Sequence, residues 1–286
     1  MSSVFDADDK DIPFFDVVVR PVAKMDFSPY TSESHVPGRH LNGLLNAEDA
    51  AGISIDEDAI EKHTKAAFLS FSGPVCLPLN RTHRGGSLLN FVDHNVREGF
   101  HALYPLVKFR GSERARQIAE TCIDDIFKLW DPGSGWDEDH IKRNYGTNIR
   151  ANEYYIQGIG RSIGPLVKYY RATGYGKALD LAYVLAEKAI SEFFRDDGSY
   201  DPKLFGFHTH STTCVMSGLA QFADLTSSSL IMSRVKAFFD KGLWEIRDEI
   251  GWVIENSKPG SDPDRGEVNN SGDILETALI LGRWGY

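Results

Sequence analysis

Two long windows set the pattern of the chain. In ERARQIAETCIDDIFKLW (Glu113 to Trp130) and KALDLAYVLAEKAISEFF (Lys177 to Phe194), apolar residues recur at three- and four-residue spacing without glycine or proline. That periodicity predicts amphipathic helices. Ahead of them stand Pro105-Leu106-Val107-Lys108-Phe109 and, 60 residues later, Pro165-Leu166-Val167-Lys168-Tyr169, each followed by a short glycine-containing break. The unit is therefore a helix, a turn and a helix. A weaker copy runs from Thr212 through the break at Thr226-Ser227-Ser228-Ser229 into Leu230 to Glu245. One period earlier lie Leu41 to Ala51 and Asp56 to Phe71, and one period later Ile274 to Gly282.

A fixed period of paired helices predicts an all-α fold whose hairpins bury their apolar faces by stacking on one another. The long connections Trp130 to Gly158 and Phe194 to Ser211 favour an (α/α) toroid over an open scaffold solenoid with short turns. A closed ring of six hairpins at this period needs about 360 residues. The sequence carries about three and a half, over residues 41–286, behind an extended N-terminal arm at residues 1–40. An open arc, a homo-oligomer that completes it, or further chain all satisfy that count.

Composition narrows the function. Of 286 residues, 31 are basic and 41 acidic, for a net charge of -10. With no local basic patch, this disfavours nucleic acid and anionic membranes as partners. Cys76, Cys122 and Cys214 are far apart, with no metal-ligand or disulfide spacing. Together with an acidic N-terminus, they suit reduced thiols in a cytoplasmic protein.

The repeat places a polar cluster ahead of each first helix. These are Asn90, Asp93, His94, Asn95, Arg97 and Glu98; then Asn148, Arg150, Asn152, Glu153, Tyr154 and Tyr155; then His208, His210, Ser211 and Thr212; then Glu267, Asn269, Asn270, Asp273 and Glu276. Converging on one mouth, they would supply the donors, acceptors and rings that a neutral polar ligand such as a sugar requires. Asn95, Ser211, Thr212 and Ser271 serve equally well as helix caps. The pair in His208-Thr209-His210 is open to metal ligation, substrate contact or hydrogen bonding within a loop. No residue at ligand spacing accompanies it, so neither a metal nor another cofactor is expected. Asp273 and Glu276, spaced i, i+3 ahead of Ala278-Leu279-Ile280-Leu281, share a helix face.

The period near sixty, the HTHSTT segment at 208–213 and GEVNNSGDILETALILGRWGY at 266–286 resemble the six-hairpin (α/α)6-toroid glycosidase superfamily, most nearly the β-L-arabinofuranosidase-like bacterial proteins. The resemblance covers residues 90 to 286 and implies a carbohydrate-active enzyme with a role for Glu276. In that group a Glu-Thr-Cys phrase contributes to a zinc-cysteine site. Here the phrase is Glu276-Thr277-Ala278, so the thiolate does not carry over.

The expectation is a glycoside hydrolase acting on an oligosaccharide by carboxylate acid/base catalysis. Glu276, Asp273 and Glu153 are its catalytic candidates. His208, His210, Asn269, Asn270, Glu267, Arg150, Asn152, Tyr154, His94 and Glu98 are its binding candidates. Two alternatives stand beside it: a polysaccharide lyase or sugar epimerase using His208 or His210 with Tyr154, and a non-catalytic helical-repeat binding protein.

Overall fold

A computed structural model describes residues 4–9, 11–18, 21–152, 154–262 and 264–286. The helices are α1 (Ser32–Ala51), α2 (Glu57–Ser70), α3 (Asn95–Arg110), α4 (Glu113–Leu129), α5 (Glu138–Tyr145), α6 (Ile163–Thr173), α7 (Gly176–Glu192), α8 (Pro202–Phe205), α9 (Thr209–Thr226), α10 (Ser229–Asp240) and α11 (Asn269–Arg283). Short strands precede and separate them, so the expectation of an all-helical chain is corrected to a mostly helical one. They are β1 (Asp16–Val18), β2 (Lys24–Asp26), β3 (Leu79–Arg81), β4 (Leu88–Val92), β5 (Trp130–Asp131), β6 (Gly135–Trp136) and β7 (Asn148–Arg150). Among the described residues, no helix is long and apolar enough to cross a membrane.

Contacts divide the chain into two compact units. The first holds residues 1–151 and 168–178, the second 152–167 and 179–286.

In the first unit, α1 packs on α2 and α3. Helix α1 begins at Ser32, within the span expected as an extended arm over residues 1–40. Its first turn is polar yet buried, because Asn80 on β3 caps it from afar. The Asn80 Oδ1 accepts the N–H groups of Glu33 at 3.0 Å and Ser34 at 3.1 Å, satisfying donors that a helix start otherwise leaves open. Gly38 lets α1 approach α3 closely, since a Cβ there would stand 2.0 Å from the Glu98 carbonyl oxygen. Strand β4 pairs antiparallel with β3 and parallel with β7, setting Asn90 against Asn148 and Val92 against Arg150. The two Pro-Leu-Val-Lys copies differ in place. Pro105 lies inside α3, whereas Pro165 falls in the first turn of α6, where its fixed φ suits the helix start.

Glu33 is fully buried beside Arg81, whose backbone N–H donates to its Oε2 at 3.3 Å. Burial outweighs Arg81 and pushes the carboxyl from an ordinary 4.5 up to about 7. The native state therefore holds a proton that the unfolded state releases. The stability is full below about 4.5 and falls as pH rises through about 7. Glu33→Gln is expected to raise the unfolding free energy at pH 8 by on the order of 1–3 kcal/mol, and to leave it unchanged at pH 4. Thermal melts at the two pH values check this; equal gains at both would remove Glu33 titration as the cause.

In the second unit, α9 is buried on nearly every face and packs on α10 and α11. Gly218 and Gly164 permit its close contact with the start of α6, where a Cβ on Gly218 would meet the Gly164 nitrogen at 2.9 Å. Phe194, Phe205 and Phe238 form the aromatic centre, with Phe194 and Phe238 rings 4.9 Å apart.

Candidate active site at the junction of α9 and α11

The second unit assembles its polar residues by two devices. A turn holds the start of α9: Gly206 adopts φ 76°, and the Gln157 amide, turned to face the backbone, accepts from Phe207 at 2.9 Å and His208 at 3.2 Å. The Tyr154 ring lies against Gly206, where a Cβ would meet it at 2.9 Å. His208 then occupies the N-cap position in an extended conformation, and His210 enters the first turn. Neither Ser211 nor Thr212 caps the helix; the Ser211 hydroxyl instead lies 2.8 Å from His208 Nδ1.

The segment between α10 and α11 returns to this point. Glu255 donates its backbone N–H to Arg265 at 2.8 Å, and Thr209 donates its own to Glu255 at 3.2 Å. Gly266 is required there because a Cβ would stand 2.3 Å from the Trp252 ring. Glu267, the next residue, arrives between the two imidazoles. Its Oε2 is 3.1 Å from His208 Nε2 and its Oε1 is 3.4 Å from His210 Nδ1. Burial opposes ionisation of Glu267, but hydrogen bonds and charge from His208 and His210 outweigh it and hold the carboxyl well below the usual range.

From here a polar ladder runs between the helices. His210, Thr213, Ser217 and Gln221 recur on one face of α9, opposite Asn270, Asp273 and Glu276 on α11. His210 Nε2 lies 3.5 Å from Asp273 Oδ2. Thr213 Oγ1 lies 2.8 Å from Asn270 Oδ1 and 3.0 Å from Asp273 Oδ2. Glu276 Oε2 accepts from the Ser217 hydroxyl at 2.7 Å and the Gln221 amide at 3.0 Å. Thr213, Asn270 and His210 are buried, Asp273 is nearly so, and His208 is about one-third exposed. Asn269 is exposed and donates to Glu267 Oε1 at 2.8 Å.

The structure thus joins the third and fourth polar clusters. Thr213, Ser217 and Gln221 belong to the site although sequence reasoning passed over them; their three- and four-residue spacing on an otherwise apolar helix was the available signal. Ser271 is exposed and caps nothing; Asn270 reaches back to the Glu267 carbonyl at 3.0 Å. Asn152 and Tyr154 are half-buried in the same unit. Glu153 lies outside the described residues.

The remaining candidates belong to the first unit. Arg150 is exposed at the end of β7, its guanidinium 5.3 Å from the Tyr30 ring. His94 stands at the start of α3 with its ring 5.7 Å from that of His35. Asn95 is buried and donates to the Tyr30 carbonyl at 2.7 Å, so it braces the neighbouring loop instead of capping α3. Glu98 is 1% exposed, with Arg97 at 2.6 Å, Arg39 at 3.4 Å and His35 at 3.8 Å. Burial disfavours its charge, yet Arg97, Arg39 and His35 hold the carboxyl well below the usual range. Its Oε1 is engaged by the protein's own side chains.

No family model matches the chain, and neither does any curated protein. Solved structures do. An unsaturated glucuronyl hydrolase from Bacillus sp. GL1, responsible for the degradation of glycosaminoglycan, matches with a TM-score of 0.62 and 17% identity, over 94% of this chain and 72% of that one. A cellobiose 2-epimerase from Bacillus thermoamylovorans B4167 gives 0.62 and 14%, over 87% and 71%. A polysaccharide lyase gives 0.59 and 12%, over 87% and 75%. At these identities the likeness concerns the fold: the chain is mostly helical, and its structural neighbours are (α/α)6 toroids of the glycosidase, lyase and epimerase superfamily.

Proposed function

We propose that the chain is a carbohydrate-active enzyme that hydrolyses a glycosidic bond, with Asp273 as the general acid and Glu276 as the second carboxylate. The observation that carries this reading is the pair of carboxylates one turn apart on α11, each facing different partners on α9. Asp273 Oδ2 lies 3.0 Å from the Thr213 hydroxyl and 3.5 Å from His210 Nε2. Glu276 Oε2 faces the Ser217 hydroxyl and the Gln221 amide. The two acids therefore stand in different surroundings, one beside an imidazole and one among neutral donors.

Glycoside hydrolysis needs such a division: one carboxylic acid protonates the departing oxygen while another carboxylate activates water or attacks the sugar. Glu276 stands one turn further along α11, its direction set by Ser217 and Gln221. His210 lies beside Asp273 and is placed to return its proton after each turnover. His208, Asn269 and Tyr154 supply the more exposed polar rim expected to contact sugar hydroxyls. Cys214 does not enter the mechanism, since it is buried with its Sγ directed at the Arg161 carbonyl. The arabinofuranosidase-like reading therefore extends to the fold and to Glu276, with no thiolate nucleophile.

The buried His210, flanked by Glu267 and Asp273, favours a second reading: proton abstraction in a lyase or epimerase, with Tyr154 as partner. Products separate the two. Incubation with a panel of uronic-acid-containing and neutral oligosaccharides is expected to liberate reducing ends without an ultraviolet-absorbing unsaturated product. New ultraviolet absorbance would establish the lyase reading, and an altered sugar without cleavage the epimerase. Saturable binding of these sugars with no product would identify a binding protein.

A further inference from the structure

We infer that His208, His210 and Glu267 form a binding site for one divalent cation, with Zn2+ as the ion that their chemistry fits best. One ring nitrogen of His208, one of His210 and a carboxylate oxygen of Glu267 all lie within 4.8 Å of one another. His208 Nε2 is 3.1 Å from Glu267 Oε2, and His210 Nδ1 is 3.4 Å from Glu267 Oε1. Ligands at about 2.0–2.2 Å from a tetrahedral ion stand about 3.3–3.6 Å apart. Each imidazole-to-carboxylate separation is therefore already close to the spacing that a common ion imposes. Two imidazoles and one glutamate leave a fourth position for water or a substrate oxygen, which is the donor set of a catalytic rather than a structural zinc site. Nitrogen donors select Zn2+ over Mg2+ and Ca2+, which prefer all-oxygen shells.

A second layer of contacts supports the assignment. A histidine that ligates through one ring nitrogen needs an acceptor at the other, which fixes its tautomer and ring direction. Ser211 Oγ lies 2.8 Å from His208 Nδ1, and Asp273 Oδ2 lies 3.5 Å from His210 Nε2. Asn269 donates to Glu267 Oε1 at 2.8 Å. His208 and Glu267 thus each have a hydrogen-bonded neighbour that orients them, and His210 faces Asp273. Position along the chain hides the site, because the histidines sit at the start of α9 and the glutamate just before α11. The expectation of no metal rested on the lack of a partner at ligand spacing, and Glu267 supplies that partner 59 residues beyond His208.

The inference stands on the ligand geometry, and it assigns His208 and His210 to the ion in place of the sugar contact and proton return given to them above. Its test is calorimetric titration of the chelator-treated full chain with Zn2+, and with Mg2+ as a control. The expected result is one Zn2+ per chain with a dissociation constant below about 1 µM, and no Mg2+ uptake in that range. His208→Ala, at a partly exposed position, is expected to weaken Zn2+ by at least about 100-fold, and Glu267→Gln by about 10- to 100-fold. Circular dichroism verifies that both variants remain folded, and visible absorption of the Co2+-substituted protein reports the coordination number. Absence of stoichiometric Zn2+ binding overturns the inference, as does binding that both variants leave unchanged. Loss of binding in the variants supports it even if no sugar is ever cleaved.

Discussion

Asp273→Asn is expected to lower kcat by about 10²- to 10⁴-fold on a natural oligosaccharide while leaving KM within a few-fold. The amide preserves the shape at Asp273 and can donate to Thr213, so the ladder between α9 and α11 survives. What disappears is the transferable proton. A leaving group that departs readily as an anion does not need that proton. An activated aryl glycoside should therefore retain far more activity in Asp273→Asn than a natural linkage does. Glu276→Gln loses a comparable factor on both substrates, because the second carboxylate acts on water or on the sugar itself. Equal losses by Asp273→Asn on both substrates would remove Asp273 as the acid, and an active Glu276→Gln would remove Glu276 from the chemistry. Steady-state kinetics on the two substrate types decides both.

Glu98→Ala is expected to cost about 3–5 kcal/mol of stability. Glu98 is 1% exposed, neutralises Arg97 and Arg39, and faces His35. Deleting it leaves like charges next to one another in a site that water reaches poorly. Burial also keeps the adjacent His101 well below its ordinary value, with Arg97 adding to the effect, so that ring adds no further positive charge. Urea unfolding should show a lower midpoint with an unchanged slope. A variant as stable as the parent, with weaker sugar binding, would restore Glu98 to the role in substrate contact that its sequence position suggested.

The contrast between Glu98 and Glu276 marks what sequence can tell. Both sit in polar clusters ahead of first helices. Glu98 meets Arg39 and His35, about sixty residues earlier on α1, and no local pattern announces that meeting. Helices α4 and α7 were legible because periodicity is local. The start of α1 was not, because its polar first turn is buried only through Asn80 on a distant strand. The same holds for β4 and β7, short segments whose parallel pairing links Asn90 to Asn148. The joining of His208 and His210 with Asp273 and Glu276 was partly legible, since the repeat places both groups at the starts of corresponding helices. Their ordering into a ladder was not, because it depends on the polar stripe of Thr213, Ser217 and Gln221.

Helix α11 packs mainly on α9, and it leaves Leu275 and Leu279 more than half exposed. Polar bonds from Thr213, Ser217 and Gln221 thus supply an unusual share of what holds it in place. Such a helix belongs to the least protected end of a protein's hierarchy of local opening. Detachment of α11 would scatter Asn270, Asp273 and Glu276 in a single event, whereas an occupant bound to them would tighten the helix by mass action. Occupancy of the site and the opening free energy of one helix are therefore linked, and raising one raises the other.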